Sequence, residues 1–200
     1  MKITAKLARR IGEPLVGQAK KVTVIRRNYA PGKLDSDRKH KVSTSEFKTQ
    51  LKGKQKVRYS YGLKEYQFKS YIQEVLTTKN PVEALFQKLE YRLDNVVYRA
   101  GFAKTRQAAR QMVTHGHITV NGRRLNIPSY RARKDDVIAI REQSAGKSPF
   151  LAVKETIKEH KESAWMKLDR INLSVTIMSE PKDTERSFDL QSVLEFYSRS

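Results

Sequence analysis

Residues 105–127, TRQAARQMVTHGHITVNGRRLNI, contain the pattern that decides the predicted fold. Thr105 can cap a short helix that runs to about Thr114, and Gly116 can end it. The helix would turn four apolar residues inward and two arginines outward: Ala108, Ala109, Met112 and Val113, and Arg106 and Arg110.

A β-hairpin follows this helix. Residues 118–120 predict a strand, Asn121-Gly122 predicts a two-residue type I′ turn, and residues 123–127 predict the returning strand. Asp135-Asp136 predicts a further turn before a strand at 137–140. Together the helical and hairpin elements indicate a compact α+β module of about fifty residues with a small antiparallel sheet.

Further elements are expected beyond the module. Ser148 can cap a helix with Val153 and Ile157 on its apolar face. Residues 173–177 alternate between apolar and polar side chains, which indicates a half-buried strand. Asp189 can cap a last amphipathic helix.

The region before the module is predicted to be mainly helical. Apolar residues at i+4 spacing indicate one continuous helix that Asn80 caps and Gly101 ends. A helix is expected over residues 63–76, and another begins near residues 43–45, where Ser43 and Glu46 have capping-box spacing. The fold class is therefore α+β, with a helical N-terminal domain and a compact helix-helix-hairpin module.

Positive charge is concentrated in two blocks. The chain has 41 Lys and Arg against 21 Asp and Glu, a formal net charge of +20. Residues 1–69 hold 19 basic against 5 acidic residues and residues 92–143 hold 11 against 4, whereas residues 144–200 hold 9 of each. Nucleic acid, an anionic membrane or an acidic protein would neutralise such blocks. Residues 1–43 are interpreted as an irregular arm that orders on a partner.

Motifs for catalysis or metal binding are not found in the sequence. The chain has no cysteine, which excludes disulfides and thiolate sites. Arg141 stands where a phosphate-binding loop ending at Gly146 would require glycine. His115 and His117 lack a third ligand at suitable spacing, and Asp135-Asp136 is typical of a solvated turn. We expect no enzyme activity, no cofactor, no metal and, without a long apolar run, no membrane partner.

Six arginines distributed over the module indicate its ligand: Arg106, Arg110, Arg123, Arg124, Arg131 and Arg133. Because arginine can contact phosphate with two parallel hydrogen bonds, such a set favours structured RNA that is recognised by shape and backbone. We expect the hairpin tip to project Arg123 and Arg124 toward one RNA strand. A solvated charged face is the alternative for any single arginine of the set.

The chain resembles the bacterial-type family of small-subunit ribosomal protein four. The family's RNA-binding module is similar to residues 91–141, YRLDNVVYRAGFAKTRQAARQMVTHGHITVNGRRLNIPSYRARKDDVIAIR. Its helical domain is similar to residues 51–68, LKGKQKVRYSYGLKEYQF, and its C-terminal segments to 165–169 and to 194–199, LEFYSR. Residues 6–12, KLARRIG, match near the start. The module alone is shared with pseudouridine synthases, some tyrosyl-transfer-RNA synthetases and a heat-shock protein.

The resemblance implies a structural ribosomal protein of the cytoplasmic small subunit, bacterial or organellar. Such a protein is a primary binder of small-subunit ribosomal RNA at a multi-helix junction of the 5′ domain. It nucleates assembly of the subunit body and contributes to translational accuracy. Ribosomal protein five and the messenger RNA, where it enters the subunit, are the further implied partners. Ala5 and Ala8 stand where many family members have zinc-binding cysteines, so a zinc-free form is implied.

The resemblance also implies domain limits and site residues. One domain comprises residues 1–91, completed by about 178–200, and the module comprises residues 92–177 with its core at 92–143. The RNA face implied for the first domain consists of Arg9, Arg10, Lys54, Lys56 and Arg58. The face implied for the module consists of Arg92, Asn95, Arg99, Lys104, Thr105, Arg106, Arg110, His115, His117, Asn121, Arg123, Arg124, Tyr130 and Arg131.

Two other readings of the chain remain open at this point. An RNA-modifying enzyme could use the same module as an accessory, but it would need a further catalytic domain of ordinary size. A free-standing RNA chaperone or stress factor would not travel with ribosomal subunits.

Overall fold

The computed structural model describes residues 5–11, 31, 45–146, 150, 153, 157, 160, 162–182 and 188–198. These residues fall into two compact units, the first from the ranges Met1–Val82 and Arg186–Ser200 and the second from Glu83–Glu185. Eight helices lie in the described part: α1 Ala5–Ile11, α2 Glu46–Ser60, α3 Glu65–Leu76, α4 Pro81–Glu90, α5 Leu93–Arg99, α6 Arg106–Thr114, α7 Glu142–Ala145 and α8 Leu190–Ser198. Five strands lie there: β1 Ile118–Val120, β2 Arg123–Leu125, β3 Val137–Ile140, β4 Met166–Asp169 and β5 Ser174–Ile177. The domain limits given above, near residues 91 and 178, stay a prediction.

The first unit is a small helical bundle in which α8 packs on α2 and α3. The N-cap of α2 is Ser45, whose side chain accepts a hydrogen bond from the Lys48 backbone N–H, so the predicted pairing of Ser43 with Glu46 is not the cap. Aromatic rings of α8 pack against those of the other two helices. The ring centroid of Phe196 lies 5.5 Å from that of Phe47, and the ring centroid of Tyr197 lies 6.1 Å from that of Phe68. The C-terminal helix therefore completes the core of this unit. As predicted, α8 is capped by Asp189, which accepts from the backbone N–H of Ser192.

The continuous helix predicted from residue 80 to residue 101 is wrong, because α4 ends at Glu90 and α5 begins at Leu93. Between them Arg92 is extended, with φ −63° and ψ 134°, and forms an isolated antiparallel bridge with Arg131. The backbone N–H of Leu93 donates to the carbonyl of Tyr130 at 2.9 Å. The chain thus leaves the helix to bond Tyr130 and Arg131, in a loop distant in sequence, which the apolar spacing could not reveal.

The predicted helix-hairpin unit is confirmed, apart from one strand end and one side chain. Thr105 caps α6 by accepting from the Ala108 backbone N–H at 3.1 Å. At the hairpin turn Asn121 has φ 49° and Gly122 has φ 78°, as a type I′ turn requires. The second strand ends at Leu125, two residues earlier than predicted. The Arg106 side chain was expected on the solvent-facing side of α6, but it is only 9% exposed.

All five strands form one antiparallel sheet in the order β2-β1-β3-β5-β4. This confirms the α+β class, and β5 is half-buried as its alternation predicted. The strand β4 was not predicted. Val153 and Ile157 are buried in the core beside the sheet, whereas the predicted cap at Ser148 lies outside the described residues. Within the described residues no helix has the length and apolar character to cross a membrane.

Candidate nucleic-acid interface

The hairpin and the loop at 131–134 carry most of the exposed cations of the second unit. Their exposed basic side chains are Arg123, Arg124, Arg131, Arg133 and Lys134. Among the residues that the structure describes, none of these five forms an ion pair with a carboxylate. Their charge is therefore available to an external anion.

Arg123 and Arg124 lie on opposite faces of the hairpin, which corrects the expectation that both point toward one RNA strand. Arg123 pairs with buried Val120 across the ladder, and Arg124 pairs with Thr119. Since neighbouring residues of a strand point to opposite faces, the two guanidinium groups diverge. The Arg124 guanidinium lies so close to Gly116 that a side chain at Gly116 would displace it.

Arg123 borders a shallow pocket of about 450 Å³ on its own face. The other residues that line it are Val120, Asn121, Leu125 and Tyr130. Apolar and aromatic walls beside a guanidinium suit the face and phosphate of an unstacked nucleotide better than a continuous duplex. Tyr130, a predicted site residue, is half-buried here.

Asn121, also a predicted site residue, makes its side-chain hydrogen bonds within the protein. Its Nδ2 donates to Asp136 Oδ1 at 2.8 Å, and its Oδ1 accepts from the Val137 backbone N–H at 2.9 Å. These contacts join the hairpin turn to the beginning of β3.

Five further predicted site residues belong to two neighbouring groups of ion pairs and hydrogen bonds, one around Glu90 and one around Asp94, here together called the buried arginine cluster. Its members are Glu90, Arg92, Asp94, Asn95, Arg99, Arg106 and Arg110. It joins α4, α5 and α6. The two carboxylates and Asn95 are almost fully buried, Arg92 is 2% exposed and Arg106 9% exposed.

In the cluster, each of the two carboxylates is paired with two arginines. Arg92 donates to both oxygens of Asp94, at 3.0 and 2.8 Å, and Arg110 lies 3.6 Å from the same carboxylate. Arg99 Nε donates to Glu90 Oε2 at 2.8 Å.

Asn95 bridges the remaining members. Its Nδ2 donates to Glu90 Oε2 at 3.0 Å, while its Oδ1 accepts from Arg106 Nε at 2.7 Å. The Arg106 guanidinium also stacks on the Tyr98 ring at 4.5 Å. These buried arginines are paired with protein carboxylates rather than presented to solvent, and the sequence signal for this is the pair Glu90 and Asp94, four residues apart and close to all four arginines in the fold.

The other predicted site residues of the module differ in exposure. Lys104 and His115 are exposed, and Thr105 is engaged as the cap of α6. His117 is half-buried: its Nδ1 lies 3.0 Å from Ser144 Oγ and its ring meets Phe150 edge to face at 5.2 Å. Of the two histidines, His115 is therefore the one that an external ligand can reach.

In the first unit the predicted residue Lys54 is buried rather than presented to solvent. Its Nζ donates to Glu65 Oε1 at 2.6 Å, and Arg58 lies 3.3 Å from the other oxygen of this carboxylate. Tyr197 of α8 donates to the same Glu65 Oε1 at 2.6 Å. Lys54 and Arg58 thus hold α2 to α3 and α8.

The charges around Glu65 shift two pKa values. Burial opposes ionisation of Glu65, but hydrogen bonds from Lys54 and Tyr197 and the charges of Lys54 and Arg58 outweigh it, so the pKa of this carboxyl lies below its ordinary value. Burial, together with the hydrogen bond to the Glu65 carboxylate, raises the pKa of Tyr197.

The exposed cations of α2 are Lys48 and Lys52, with Lys56 half-buried beside them. Their spacing at i, i+4 and i+8 places them in one row of the helix surface. Lys56 was among the predicted site residues, but Lys48 and Lys52 were not, although the same spacing identifies them. Of the remaining predicted residues on α1, Arg10 is exposed and Arg9 half-buried.

No group of three potential metal ligands occurs among His, Asp and Glu side chains in the described ranges.

Comparison with known proteins gives the following matches. A family model described as "Ribosomal protein S4/S9 N-terminal domain" matches residues 2–90, and one described as "S4 domain" matches residues 92–138. A protein of Saccharopolyspora erythraea named "Small ribosomal subunit protein uS4" is 42% identical over 177 residues, 87% of each chain. A protein of the same name from Cutibacterium acnes is 41% identical over 197 residues, 97% of this chain and 96% of its own. The corresponding protein of Persephonella marina is 41% identical over 197 residues, 96% and 95% of the two chains.

Proposed function

Because the chain belongs to the small ribosomal subunit protein uS4 family, it is a structural, non-enzymatic ribosomal protein, and we propose that its hairpin is a principal contact with small-subunit ribosomal RNA. The family is the one that its sequence resembles, that of small-subunit ribosomal protein four. An RNA-modifying enzyme built on the same module is thereby excluded.

The observation that carries the proposal is the exposure of cations without carboxylate partners on the hairpin and on the loop that follows it. Arg123, Arg124, Arg131 and Arg133 are exposed, and among the described residues none of them is neutralised by an ion pair. Exposed guanidinium groups bind phosphate oxygens in water and release counterions from the RNA, which is the main source of affinity for a polyanion.

We assign the predicted site residues to two roles. Direct RNA contact is proposed for the exposed or half-exposed ones: Arg9, Arg10, Lys56, Lys104, His115, Arg123, Arg124, Tyr130 and Arg131. Support of the RNA-binding surface is proposed for those whose side chains the structure shows bonded to other protein groups, the exposed Asn121 included: Lys54, Arg58, Arg92, Asn95, Arg99, Thr105, Arg106, Arg110, His117 and Asn121.

The two blocks of positive charge support two RNA-binding surfaces, one in each domain. The proposed division is a helical domain of residues 1–91, completed by about 178–200, and the module of residues 92–177. Residues 1–69 carry the larger basic excess, 19 against 5. The basic residues at 1–69 and a module with a preformed hairpin would together hold a junction of several RNA helices, in the 5′ domain of the small-subunit RNA; the predicted arm at 1–43 lies, apart from 5–11 and 31, outside the described residues.

Binding of this kind also explains the finer roles that the resemblance implies. A protein that holds several RNA helices together early would nucleate assembly of the subunit body. Contacts with ribosomal protein five, and with messenger RNA where it enters the subunit, are proposed as the basis of a contribution to translational accuracy. The alternative, a free-standing RNA chaperone, predicts that the chain does not sediment with small subunits.

The test compares two double variants that remove equal charge. Arg123→Ala with Arg124→Ala is expected to fold normally and to bind a transcript of the small-subunit RNA 5′ domain more weakly. The slope of log affinity against log salt should fall by up to about two, nearly one for each phosphate contact. Lys167→Ala with Lys182→Ala removes two exposed cations from the neutral C-terminal quarter and should leave the slope unchanged.

Filter binding at several salt concentrations measures both quantities. Sedimentation of particles reconstituted with each variant measures the effect on assembly. Equal affinities and slopes for the two double variants would refute the hairpin as the RNA contact.

A further inference from the structure

Two loops of the second unit carry the exposed cations, and one buried carboxylate bonds to both of them. The hairpin turn presents Arg123 and Arg124, and the loop before β3 presents Arg131, Arg133 and Lys134. Asp136 lies between the two loops and is 8% exposed. Each of its oxygens bonds to a different loop.

The bonds to the hairpin run through Asn121. Asp136 Oδ1 accepts from Asn121 Nδ2 at 2.8 Å, and Asn121 Oδ1 in turn accepts from the Val137 backbone N–H at 2.9 Å. The Asn121 backbone N–H also donates to the Val137 carbonyl at 2.8 Å. Asn121 is a residue of the type I′ turn, with φ 49°, so these bonds fix the position of the turn backbone.

The bond to the other loop fixes the backbone N–H of Arg133, which is itself one of the exposed arginines. Asp136 Oδ2 accepts from the Arg133 backbone N–H at 2.8 Å, and the Asp136 N–H returns to the Arg133 carbonyl at 3.2 Å. The far side of the turn is tied to the sheet, because Asp135 N–H donates to the Ile177 carbonyl at 2.9 Å and Ile177 N–H donates to the Asp136 carbonyl at 3.2 Å. The backbone of Asp136 is therefore held by the sheet.

Five like charges on two neighbouring loops repel one another, so their spacing depends on the contacts that hold the two backbones. Ala132 N–H donates to the Tyr91 carbonyl and anchors the start of the second loop, but only the Asp136 carboxylate among the contacts described above bonds to both loops at the same time. Its two oxygens are taken by these bonds, and the side chain is buried, so it acts on an external ligand through the arginines and not by touching it.

We propose that Asp136 is a positioning residue for RNA binding, which through Asn121 and the Arg133 backbone holds the two cationic loops at the spacing that RNA phosphates require. This inference rests on the proposed function of the hairpin and extends it to a residue that makes no contact with RNA.

The first variant separates positioning from charge. Asp136→Asn raises the net charge by one unit from +20, so electrostatics alone predicts tighter RNA binding. Positioning predicts the opposite, because the new amide has one oxygen for two donors: it can accept from either Asn121 Nδ2 or the Arg133 backbone N–H and faces the other donor to donor, which releases one of the two loops. We expect about tenfold weaker binding of the 5′-domain transcript, the effect of losing a hydrogen bond to a charged group. The salt slope should fall by about one.

The second variant restores the bonds with the partners exchanged. Asn121→Asp alone places two carboxylates together and should weaken binding like Asp136→Asn. The double variant Asn121→Asp with Asp136→Asn keeps the net charge at +20 and again offers one amide donor and enough acceptors. Asp also tolerates the positive φ of the turn. Affinity and slope of the double variant should return to within about threefold of the original chain, a difference below 1 kcal/mol.

The comparison is decisive whatever the stability of the single variants. If Asp136→Asn binds with the original affinity and slope, the proposal is overturned. It is equally overturned if the exchanged pair folds with the original melting temperature but binds as weakly as the single variants. Should both single variants fail to fold, the exchanged pair alone decides. The Arg123→Ala with Arg124→Ala variant, measured alongside, shows separately whether the hairpin binds RNA at all.

Discussion

The second unit uses the same residue type in two opposite ways, in the buried arginine cluster and on the hairpin. Arg92, Arg99, Arg106 and Arg110 face the carboxylates of Glu90 and Asp94, at 2.8 to 4.0 Å. Arg123 and Arg124 lie some fifteen residues further along the chain, exposed and without such partners in the described part. The first set is neutralised by carboxylates within the protein, and the second is the one proposed to contact RNA.

The difference shows that the position of a carboxylate, more than the number of arginines, decides what a basic segment does. Removing a charge from the cluster should cost folding free energy and leave the salt dependence of RNA binding unchanged. Removing one from the hairpin should do the reverse. The variants Glu90→Gln and Gly122→Val test whether the two regions can be separated in this way, and Glu65→Gln extends the comparison to paired cations of the first unit.

The largest effect is expected from Glu90→Gln in the cluster. Glu90 is fully buried and neutralises Arg99 and Arg106, so its loss leaves buried positive charge without compensation. We expect a loss of about 3 kcal/mol in unfolding free energy, typical of breaking a buried ion pair. Glu83→Gln, an exposed carboxylate in the same helix, is the matched control and should change stability little.

Thermal or urea unfolding measures this loss, and filter binding well below the melting temperature checks the separation. If Glu90→Gln is as stable as the control, the cluster does not support the fold. If its salt slope changes by as much as that of the hairpin variants, the two regions are not distinct in function.

An intermediate effect is expected from Gly122→Val in the hairpin turn. Gly122 has φ 78°, where a β-branched residue is strained, and an added Cβ would meet nothing within 4 Å. The cost of about 1–3 kcal/mol therefore comes from the backbone and not from a clash. RNA affinity should fall because the arginines are displaced, although no charge is removed.

Gly122→Asn is the control for the turn, because asparagine adopts positive φ at low cost. It should keep both stability and affinity close to those of the original chain. Normal RNA binding by Gly122→Val would mean that the geometry of the turn does not matter to the RNA.

The smallest effect is expected in the first unit, at the partly exposed cluster of Lys54, Arg58, Glu65 and Tyr197. The pKa of Glu65 is lowered in the folded state, so its contribution to stability is present above the unfolded value of about 4.3 and is lost as the pH falls below it. Glu65→Gln should therefore lower the melting temperature at pH 7, and the difference should shrink below about pH 4.

Melting curves recorded by circular dichroism at several pH values give the comparison. Glu74→Gln, an exposed carboxylate of the same helix α3, is the control. A deficit of Glu65→Gln that stays constant down to pH 3 would show that ionisation of Glu65 is not what stabilises this unit.

Local signals in the sequence were enough to predict most helix and strand positions. Thr105, Gly116 and Asn121-Gly122 act on backbone within a few residues of themselves, so the elements that they bound follow directly. The break between α4 and α5 depends on Arg92 bonding to Arg131, a contact between distant segments that leaves the apolar spacing of the helix unaltered.

The site was predictable to the same extent and for the same reason. Arg123 and Arg124 follow a hairpin turn, and a turn at the edge of a sheet is exposed. Lys54 and Arg106 look like surface residues of their helices, but Glu65 and Asn95 draw them inward from other elements. Burial of a charge depends on its partner, and partners from other helices are not visible along the chain.

The packing of α8 on α2 and α3 has a consequence for how the protein is made. The helical bundle of the first unit needs Leu190–Ser198, which leave the translating ribosome after all the residues of the second unit. Domains commonly fold in the order of synthesis, the first one first. Here the order is expected to invert: the second unit, continuous in sequence, can fold first, whereas α2 and α3 keep apolar residues uncovered until α8, which is translated after the second unit, packs on them.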